Sequence, residues 1–184
     1  MNIDLLSLIK KRASCRDYAD KAVPDELIHN CVEAARLSPS ACNKQPWRFI
    51  IVKNAGLREE IALKGLLPAM PMPWLRKAPV IIALCAEKSV FIHKLAPLVS
   101  GVNYHLIDMG IAGEHFVLEA ENQGLGTCWI GWFNQKRIKR ILDIPRGVEV
   151  VSLISLGFPS APPALSSRLP AENIFFTDKW GNKQ

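Results

Sequence analysis

The sequence lacks a hydrophobic run that is long enough to cross a membrane. Its longest apolar run, from Ala78 to Ala86, has nine residues and includes Pro79, whereas a membrane-spanning helix needs about 20. The amino-terminal segment reaches Lys10 and Lys11 too early to serve as a secretory signal. These features predict a cytoplasmic protein that does not associate with membranes.

Cysteine pairs with metal-binding or redox spacing are also missing. The chain has five cysteines, an odd number, and no CxxC motif. This pattern predicts free thiols in a reducing compartment rather than a disulfide framework. Cys85 lies in an apolar run and is expected in the core. Cys42 lies in a polar loop, where it is either an ordinary exposed residue or a reactive thiol.

The motifs of several common enzyme classes are absent. The chain has no GxSxG, HExxH, P-loop or GxGxxG sequence. Glu114, His115 and Glu119 have the helical spacing that a metal site could use. Tyr104 and Asp108 share their face, which favours a solvated polar stripe instead. We therefore expect no bound metal and no catalytic dyad of protein side chains.

The length and composition are those of one globular domain. With 49% hydrophobic and 22% charged residues, the chain can bury a core without disulfides or metal, so residues 1–184 are predicted to form a single domain. The net charge of +6 suits an anionic ligand. Because the basic residues are dispersed and lack interleaved aromatic residues, no nucleic-acid partner is predicted.

Hydrophobic periodicity predicts alternating helices and strands. Helices are expected over 3–12, 25–37, 57–66, 102–122 and 134–142, and strands over 48–53, 80–86, 127–132 and 149–158. The strand over 80–86 is apolar on both faces, which is typical of a central strand covered on both sides.

The longest predicted helix has two apolar sides. One face carries Val102, Leu106, Met109, Gly113, Phe116, Val117 and Ala120, and a narrower stripe carries Ile107, Ile111 and Leu118. Such a helix lies between two layers. One layer is expected to be the sheet of its own domain, and the other is either a second subunit or a further part of the same domain.

Two segments have apolar residues without regular periodicity. The segment 64–78 is rich in proline but carries Met70, Met72 and Trp74. It is expected either to cover a pocket as a lid or to pack plainly on the surface. The tail, 159–184, has four prolines and ends with Phe175, Phe176 and Trp180 among its aromatic residues. This composition predicts an arm that packs on its own or a neighbouring subunit.

Three loop segments have residues suited to a planar, phosphorylated ligand. Arg12, Ser14 and Arg16 alternate, so in an extended segment all three side chains point the same way and can reach one anion. The segments 39–47 and 124–131 are rich in small residues, amides and glycines, which allow a flat ring to approach the backbone.

These segments, in this order, resemble those of the FMN-dependent nitroreductase family. The resemblance runs from about residue 5 to 176 and is carried most specifically by SPSACNKQPWRF and GLGTCWIGWF. It implies an α+β fold with a central, mostly antiparallel sheet flanked by helices. It further implies an intertwined homodimer with FMN at the interface, in which the arm 159–184 is exchanged between subunits.

The resemblance also implies which residues bind the cofactor. The phosphate and ring edge would be held by Arg12, Ser14, Arg16 and the late Arg168, and the flavin ring would contact the loop 39–45 of the other subunit and the backbone near residue 130. The full set of implied FMN-binding residues is Arg12, Ala13, Ser14, Arg16, Pro39, Ser40, Ala41, Asn43, Gln45, Cys128, Trp129, Ile130, Gly131 and Arg168. Ala13 departs from the family, which often has Arg or His at this position.

The activity implied is the transfer of reducing equivalents from NADPH or NADH to a small nitro or quinone acceptor by a ping-pong cycle. In such enzymes the flavin carries the redox chemistry and the protein positions it. The stretch 87–101 is short for the family, which leaves the shape of the acceptor pocket open. A specialised acceptor, as in a dehalogenase or an enone reductase, and a non-catalytic flavin-binding role are the alternatives.

Overall fold

The computed structural model describes residues 4–89 and 91–182. Its centre is a sheet of four strands in which every neighbouring pair is antiparallel. In the order in which they lie across the sheet, the strands are β1 (Trp47–Val52), β2 (Val80–Glu87), β4 (Val148–Gly157) and β3 (Gly126–Ile130). Helices pack against this sheet, which confirms the predicted α+β fold.

The core lies on both faces of the sheet, with β2 at its centre. Every residue from Val80 to Ala86 is buried, as the unbroken apolar run predicts. Alternate side chains enter different clusters, so that Ile82 and Leu84 pack on one face and Ile81 on the other. Cys85 is buried among them, as expected.

Five of the six α-helices of the described ranges lie close to predicted helices, whereas the fourth, in the stretch 87–101, was not predicted. They are α1 (Leu5–Lys11), α2 (Asp25–Arg36), α3 (Ala55–Glu60), α4 (Ala96–Ser100), α5 (Tyr104–Asn122) and α6 (Gln135–Ile141). Asp4, Asn54 and Asn134 each accept a hydrogen bond from a backbone N–H in the first turn of α1, α3 and α6. Within residues 4–89 and 91–182, no helix is both long and apolar enough to cross a membrane.

Three predicted positions lie outside the described residues. They are Ile3, the predicted start of the first helix, and residues 183 and 184 of the arm.

The predicted helix over 57–66 starts earlier, at Ala55, and ends in a wider π-helical turn, Ile61–Gly65. The predicted strand over 127–132 ends at Ile130, because the chain turns away there towards α6.

The long helix α5 packs one face against the sheet. Met109, Phe116 and Val117 are buried there, and the ring of Phe116 stacks on that of Phe49 in β1 with centroids 5.7 Å apart. At the amino-terminal end of the predicted face, this chain alone leaves Leu106 45% exposed.

The predicted polar stripe of α5 is also corrected. Asp108 is 3% exposed, because its carboxylate accepts a hydrogen bond from the backbone N–H of Ala41 in the loop that follows α2. Ile107, on the second apolar stripe, is half exposed in this single chain. This chain therefore does not itself supply, at Ile107, the second layer that was predicted to cover the stripe.

The proline-rich segment folds back against the end of β3. Leu66 forms a bridge with Phe133, and the indole Nε1 of Trp132 donates to the carbonyl oxygen of Pro68 over 2.8 Å. The short 3₁₀ turn Pro73–Lys77 then leads into β2. These contacts place the apolar part of the segment beside the loop that follows β3.

The C-terminal arm leaves the domain next to the segment after Arg16. Ser160 donates through its hydroxyl to the carboxylate of Asp17 over 2.6 Å. Beyond this point apolar side chains remain exposed to an unusual degree, with Leu169 at 70% and Trp180 at 91%. Exposed apolar residues in such number are typical of a surface that a partner covers.

Burial of His105, in the first turns of α5, predicts a pH-dependent stability. Burial, and next the ammonium of Lys88, hold the pKa of this imidazole below its ordinary value. The carboxylate of Glu149, 3.3 Å away, raises the pKa and only partly offsets these effects. The unfolded chain therefore binds a proton at a higher pH than the folded chain does. The free energy of unfolding should fall as the pH is lowered below about 6.5.

Urea unfolding at pH 7.5 and at pH 5.5 checks this prediction. In His105→Gln the loss of stability between the two pH values should be smaller than in the wild type. His29 is exposed on α2, so the control His29→Gln should lose as much stability between the two pH values as the wild type does. An equal loss in His105→Gln and in the wild type would contradict the assignment.

Candidate functional site

The segment with the two arginines lies alongside β3 as an extended strand-like stretch. The backbone N–H of Cys15 donates to the carbonyl oxygen of Thr127 over 2.8 Å, and Ser14 forms a parallel bridge with Thr127. Burial alternates along it: Ala13 and Cys15 are buried, whereas Arg12, Ser14 and Arg16 are not. The predicted common direction of these three side chains is therefore present.

The segment is fixed by a close approach to β3. A Cβ atom on Gly126 would lie 2.6 Å from the Cβ of Cys15, so only glycine allows this contact. The buried hydroxyl of Tyr18 donates to the carbonyl oxygen of Cys15 over 2.9 Å and lies 2.7 Å from the hydroxyl of Ser155. The side chains that face outward are thus held on a rigid backbone.

A cavity of about 370 Å³ opens beside Arg16. One wall is the end of β3 and the turn after it, and the opposite wall is the proline-rich segment. Its lining residues include Arg16, Cys128, Trp129, Ile130, Gly131, Trp132, Met70, Pro71, Met72 and Trp74. Of the two expectations for the segment 64–78, the lid over a pocket agrees with this arrangement.

The thiol of Cys128 faces this cavity without being an activated nucleophile. Burial raises the pKa of Cys128, and the nearby guanidinium of Arg16 only partly opposes this effect. A thiol with a raised pKa stays protonated near neutral pH. Cys128 therefore lines the cavity as a small, uncharged side chain and does not serve as a nucleophile.

A second cavity, of about 320 Å³, lies on the other side of Arg16. It is lined by residues from Ser14 to Asp17 and by the start of the arm, Ser160 to Ala164. Arg16 borders both cavities, so its guanidinium is available to an anionic group of a ligand in either of them. Arg12 lies further along and is 4.0 Å from the carboxylate of Glu114.

The loop that follows α2 forms a separate group. Cys42, Asn43 and Gln45 have positive φ angles of 49°, 53° and 46°, and all three are exposed. The N–H of Gln45 donates to the hydroxyl of Ser40 over 2.9 Å. Cys42 is thus an exposed thiol in a strained loop.

The single chain does not bring all the predicted binding residues together. The two cavities beside Arg16 are lined neither by the loop 39–45 nor by Arg168. The guanidinium of Arg168 donates instead to the carbonyl oxygens of Ser166 and Ser167. The chain therefore assembles the site around Arg16, and the loop 39–45 and Arg168 lie elsewhere on its surface.

His115, one of the two histidines on α5, makes a structural contact. The Nδ1 atom of His115 lies 2.8 Å from the hydroxyl of Ser38. In the ranges 4–89 and 91–182, no three His, Cys, Asp or Glu side chains are grouped so that they could hold a metal ion.

Sequence reasoning missed the contacts that two acidic side chains of α5 make. Glu114 accepts a hydrogen bond from the indole of Trp129 over 3.3 Å, which ties α5 to the cavity wall. Asp108 holds the loop at Ala41. In the sequence, these contacts are indicated only by the presence of an acidic residue on a helix that is otherwise mostly apolar. This indication is weak.

The antiparallel sheet, the long helix α5 on one face of it and the extended arm define an α+β protein with a nitroreductase-like fold. The chain belongs to the nitroreductase family, whose family model matches residues 9–69 and 66–158. The identity of the family was expected from the loop motifs, and this expectation is confirmed.

Several known proteins are similar over most of the chain. It is 33% identical over 182 residues to the "Putative NADH dehydrogenase/NAD(P)H nitroreductase" of Methanothermobacter thermautotrophicus, covering 97% of this chain and 88% of that protein. It is 29% identical over 196 residues to the FMN reductase (NAD(P)H) of Bacillus subtilis, covering 100% of this chain and 76% of that protein. A solved nitroreductase family protein from Clostridium novyi NT is 32% identical, with a TM-score of 0.78 and coverage of 98% and 97%.

Proposed function

We propose that this protein is an FMN-dependent oxidoreductase that takes reducing equivalents from NADH or NADPH and passes them to a small nitroaromatic or quinone acceptor. The observation that carries the proposal is the alternation at Arg12, Ser14 and Arg16, which turns two guanidiniums and a hydroxyl to one side of the segment, where Ser14 and Arg16 line cavities. The similarity to an FMN reductase that uses NAD(P)H supports the choice of cofactor and donor.

In this proposal the anionic end of FMN binds to the arginine segment. Guanidinium groups bind phosphate in a bidentate manner, and the net charge of +6 favours a dianionic ligand. Arg16 would be the main contact, because Arg12 is already near Glu114. Arg168, on the exposed arm, would add a further cation once the arm is placed against the phosphate.

The flavin ring would lie in the cavity of about 370 Å³ beside β3. No atom lies within 4 Å of the position that a Cβ on Gly131 would take, so a flat ring can reach the backbone there. Met72 and Trp74 face this position from the opposite wall and would limit access of water. FMN, when bound, supplies the chemistry that accepts hydride from a nicotinamide and returns it to an acceptor.

The second subunit would complete the site. The loop 39–45, with Pro39, Ser40, Ala41, Asn43 and Gln45, is exposed or partly exposed and would pack on the flavin of the partner. The arm 159–184 would cover the partner as well, which agrees with the exposure of its apolar side chains. We also propose a cytoplasmic location, which agrees with the five free cysteines.

The visible spectrum of the purified protein tests the proposal. We expect a yellow protein whose flavin bleaches when NADPH or NADH is added without oxygen, and which regains its colour with a nitroaromatic compound or a quinone. Regain of colour only with a halogenated phenol or an enone would favour the specialised-acceptor alternative. Flavin that stays oxidised with both nicotinamides would favour the non-catalytic role, and protein that rejects FMN would overturn the proposal.

Mixed dimers test the contribution of the second subunit. One chain carries Arg16→Ala and the other carries Ser40→Ala with Asn43→Ala, and each homodimer should bind FMN weakly. If the loop acts on the partner's flavin, each isolated mixed dimer contains one intact site of two, so it binds about half as much FMN as the wild-type dimer. No recovery would mean that the loop and Arg16 serve the same chain's site.

A further inference from the structure

The loop 39–45 has a strained backbone that needs external support. Cys42, Asn43 and Gln45, none of them glycine, have positive φ angles, a backbone conformation that is unfavourable for residues with a side chain. The hydrogen bonds inside the loop, such as Gln45 N–H to the Ser40 hydroxyl, do not connect it to the rest of the fold. Support must come from the elements that the loop touches.

Helix α5 supplies this support through two side chains. The carboxylate oxygen Oδ1 of Asp108 accepts from the N–H of Ala41 over 2.9 Å. The Nδ1 atom of His115 lies 2.8 Å from the hydroxyl of Ser38. The two residues are seven positions apart, which places them on one face about two turns apart. Of the two, only Asp108 binds the backbone inside the strained loop.

A histidine lies beside the other carboxylate oxygen of Asp108. Its oxygen Oδ2 lies 3.3 Å from Nε2 of His93, without the alignment of a hydrogen bond. The Nδ1 atom of His93 accepts from the N–H of Ser89 over 3.0 Å, so the ring proton is on Nε2, the nitrogen nearest to Asp108. Both residues are 3% exposed, and such a buried carboxylate needs partners of this kind.

We propose that Asp108 is a positioning residue, which sets the loop Ser40–Asn43 against the flavin through the Ala41 amide, and that His93 orients its carboxylate. This inference rests on the proposed FMN function. Asp108 does not reach the ligand in this scheme, and its effect passes through the backbone of Ala41. The chain thereby couples the turn after β2, where Ser89 lies, to the flavin-facing loop.

The experiment compares three variants and reads two quantities. Asp108→Ala removes the acceptor. His93→Leu leaves the buried carboxylate without its orienting partner. Asp108→Asn combined with His93→Leu restores an oxygen for Ala41 and removes the donor that an amide at position 108 would oppose. Glu119→Ala, on the same helix but away from the loop, is the matched control.

The first quantity is the hydrogen-exchange rate of the Ala41 amide in FMN-free protein. It should rise about tenfold or more in Asp108→Ala, stay within about threefold of the wild type in the combined variant, and stay unchanged in the control. The second is the dissociation constant for FMN, which should rise about tenfold in Asp108→Ala and largely recover in the combined variant. If Asp108 served only the general stability of the fold, the amide oxygen of the combined variant would not restore both the exchange rate of Ala41 and the affinity for FMN.

Exchange of the Ala41 amide should also become faster in His93→Leu, and exchange at the wild-type rate there would overturn the orienting role of His93. Unchanged exchange at Ala41 in Asp108→Ala would overturn the proposed contact, whether or not FMN binds. Faster exchange with unchanged FMN affinity would overturn the link between this contact and the flavin. Failure of the wild type to bind FMN would overturn the proposed function, while the exchange rates would still report on the Asp108 contact by itself.

Discussion

Arg16→Ala is expected to weaken the binding of FMN by about 1.5–3 kcal/mol, the range for hydrogen bonds to charged groups. This loss corresponds to roughly a 10- to 150-fold higher dissociation constant. The reason is that Arg16 lines both cavities of the proposed site and is the main proposed contact of the FMN phosphate. Fluorescence titration of FMN with the apoprotein measures the effect.

The control for this variant is Arg36→Ala. Arg36 is an exposed residue at the end of α2 that pairs with Glu33, and its loss should leave FMN binding unchanged. Arg168→Ala should weaken FMN binding in the same direction as Arg16→Ala, if the arm delivers this side chain to the phosphate. Unchanged affinity in both Arg16→Ala and Arg168→Ala would refute the assignment of the phosphate site.

Gly126→Ala is expected to lower the free energy of unfolding by about 1–3 kcal/mol, because it adds a methyl group in a filled space. The new Cβ would lie 2.6 Å from Cβ and 2.7 Å from Sγ of Cys15, and the first of these atoms cannot rotate away. The segment must shift from β3, so Arg16 moves with it and FMN binding weakens as well. Urea unfolding and FMN titration of the same protein measure both effects.

Gly147→Ala is the matched control for this substitution. No atom lies within 4 Å of the position of its added Cβ, so the change in stability should stay within about 0.5 kcal/mol. Loss of stability in Gly126→Ala without loss of FMN affinity would show that the cofactor site does not depend on the distance between Cys15 and β3.

Local patterns were enough to predict the arginine segment. Alternation of side chains follows from an extended backbone alone, so the common side of Arg12, Ser14 and Arg16 could be expected without knowledge of the neighbouring strand. The central strand was predictable for the same reason, since an apolar residue at every position from Val80 to Ala86 requires cover on both faces.

Contacts between distant parts of the chain were not predictable. Asp108 is 67 positions from Ala41, and its burial depends on a loop that no local pattern places against α5. Its polar character argued for solvent, and a long-range hydrogen bond overrides that preference. The apolar character of Leu106 argued for burial, but this chain alone leaves it exposed.

The bond between Cys15 and Thr127 also affects how the protein avoids aggregation. Strand β3 is at one edge of the sheet, and a free edge offers unpaired N–H and C=O groups to other chains. The segment with Arg12 and Arg16 occupies part of that edge and places two cations next to it. Variants that loosen this segment should therefore expose a pairing edge during expression, and their yield of soluble protein should fall even where the core is intact.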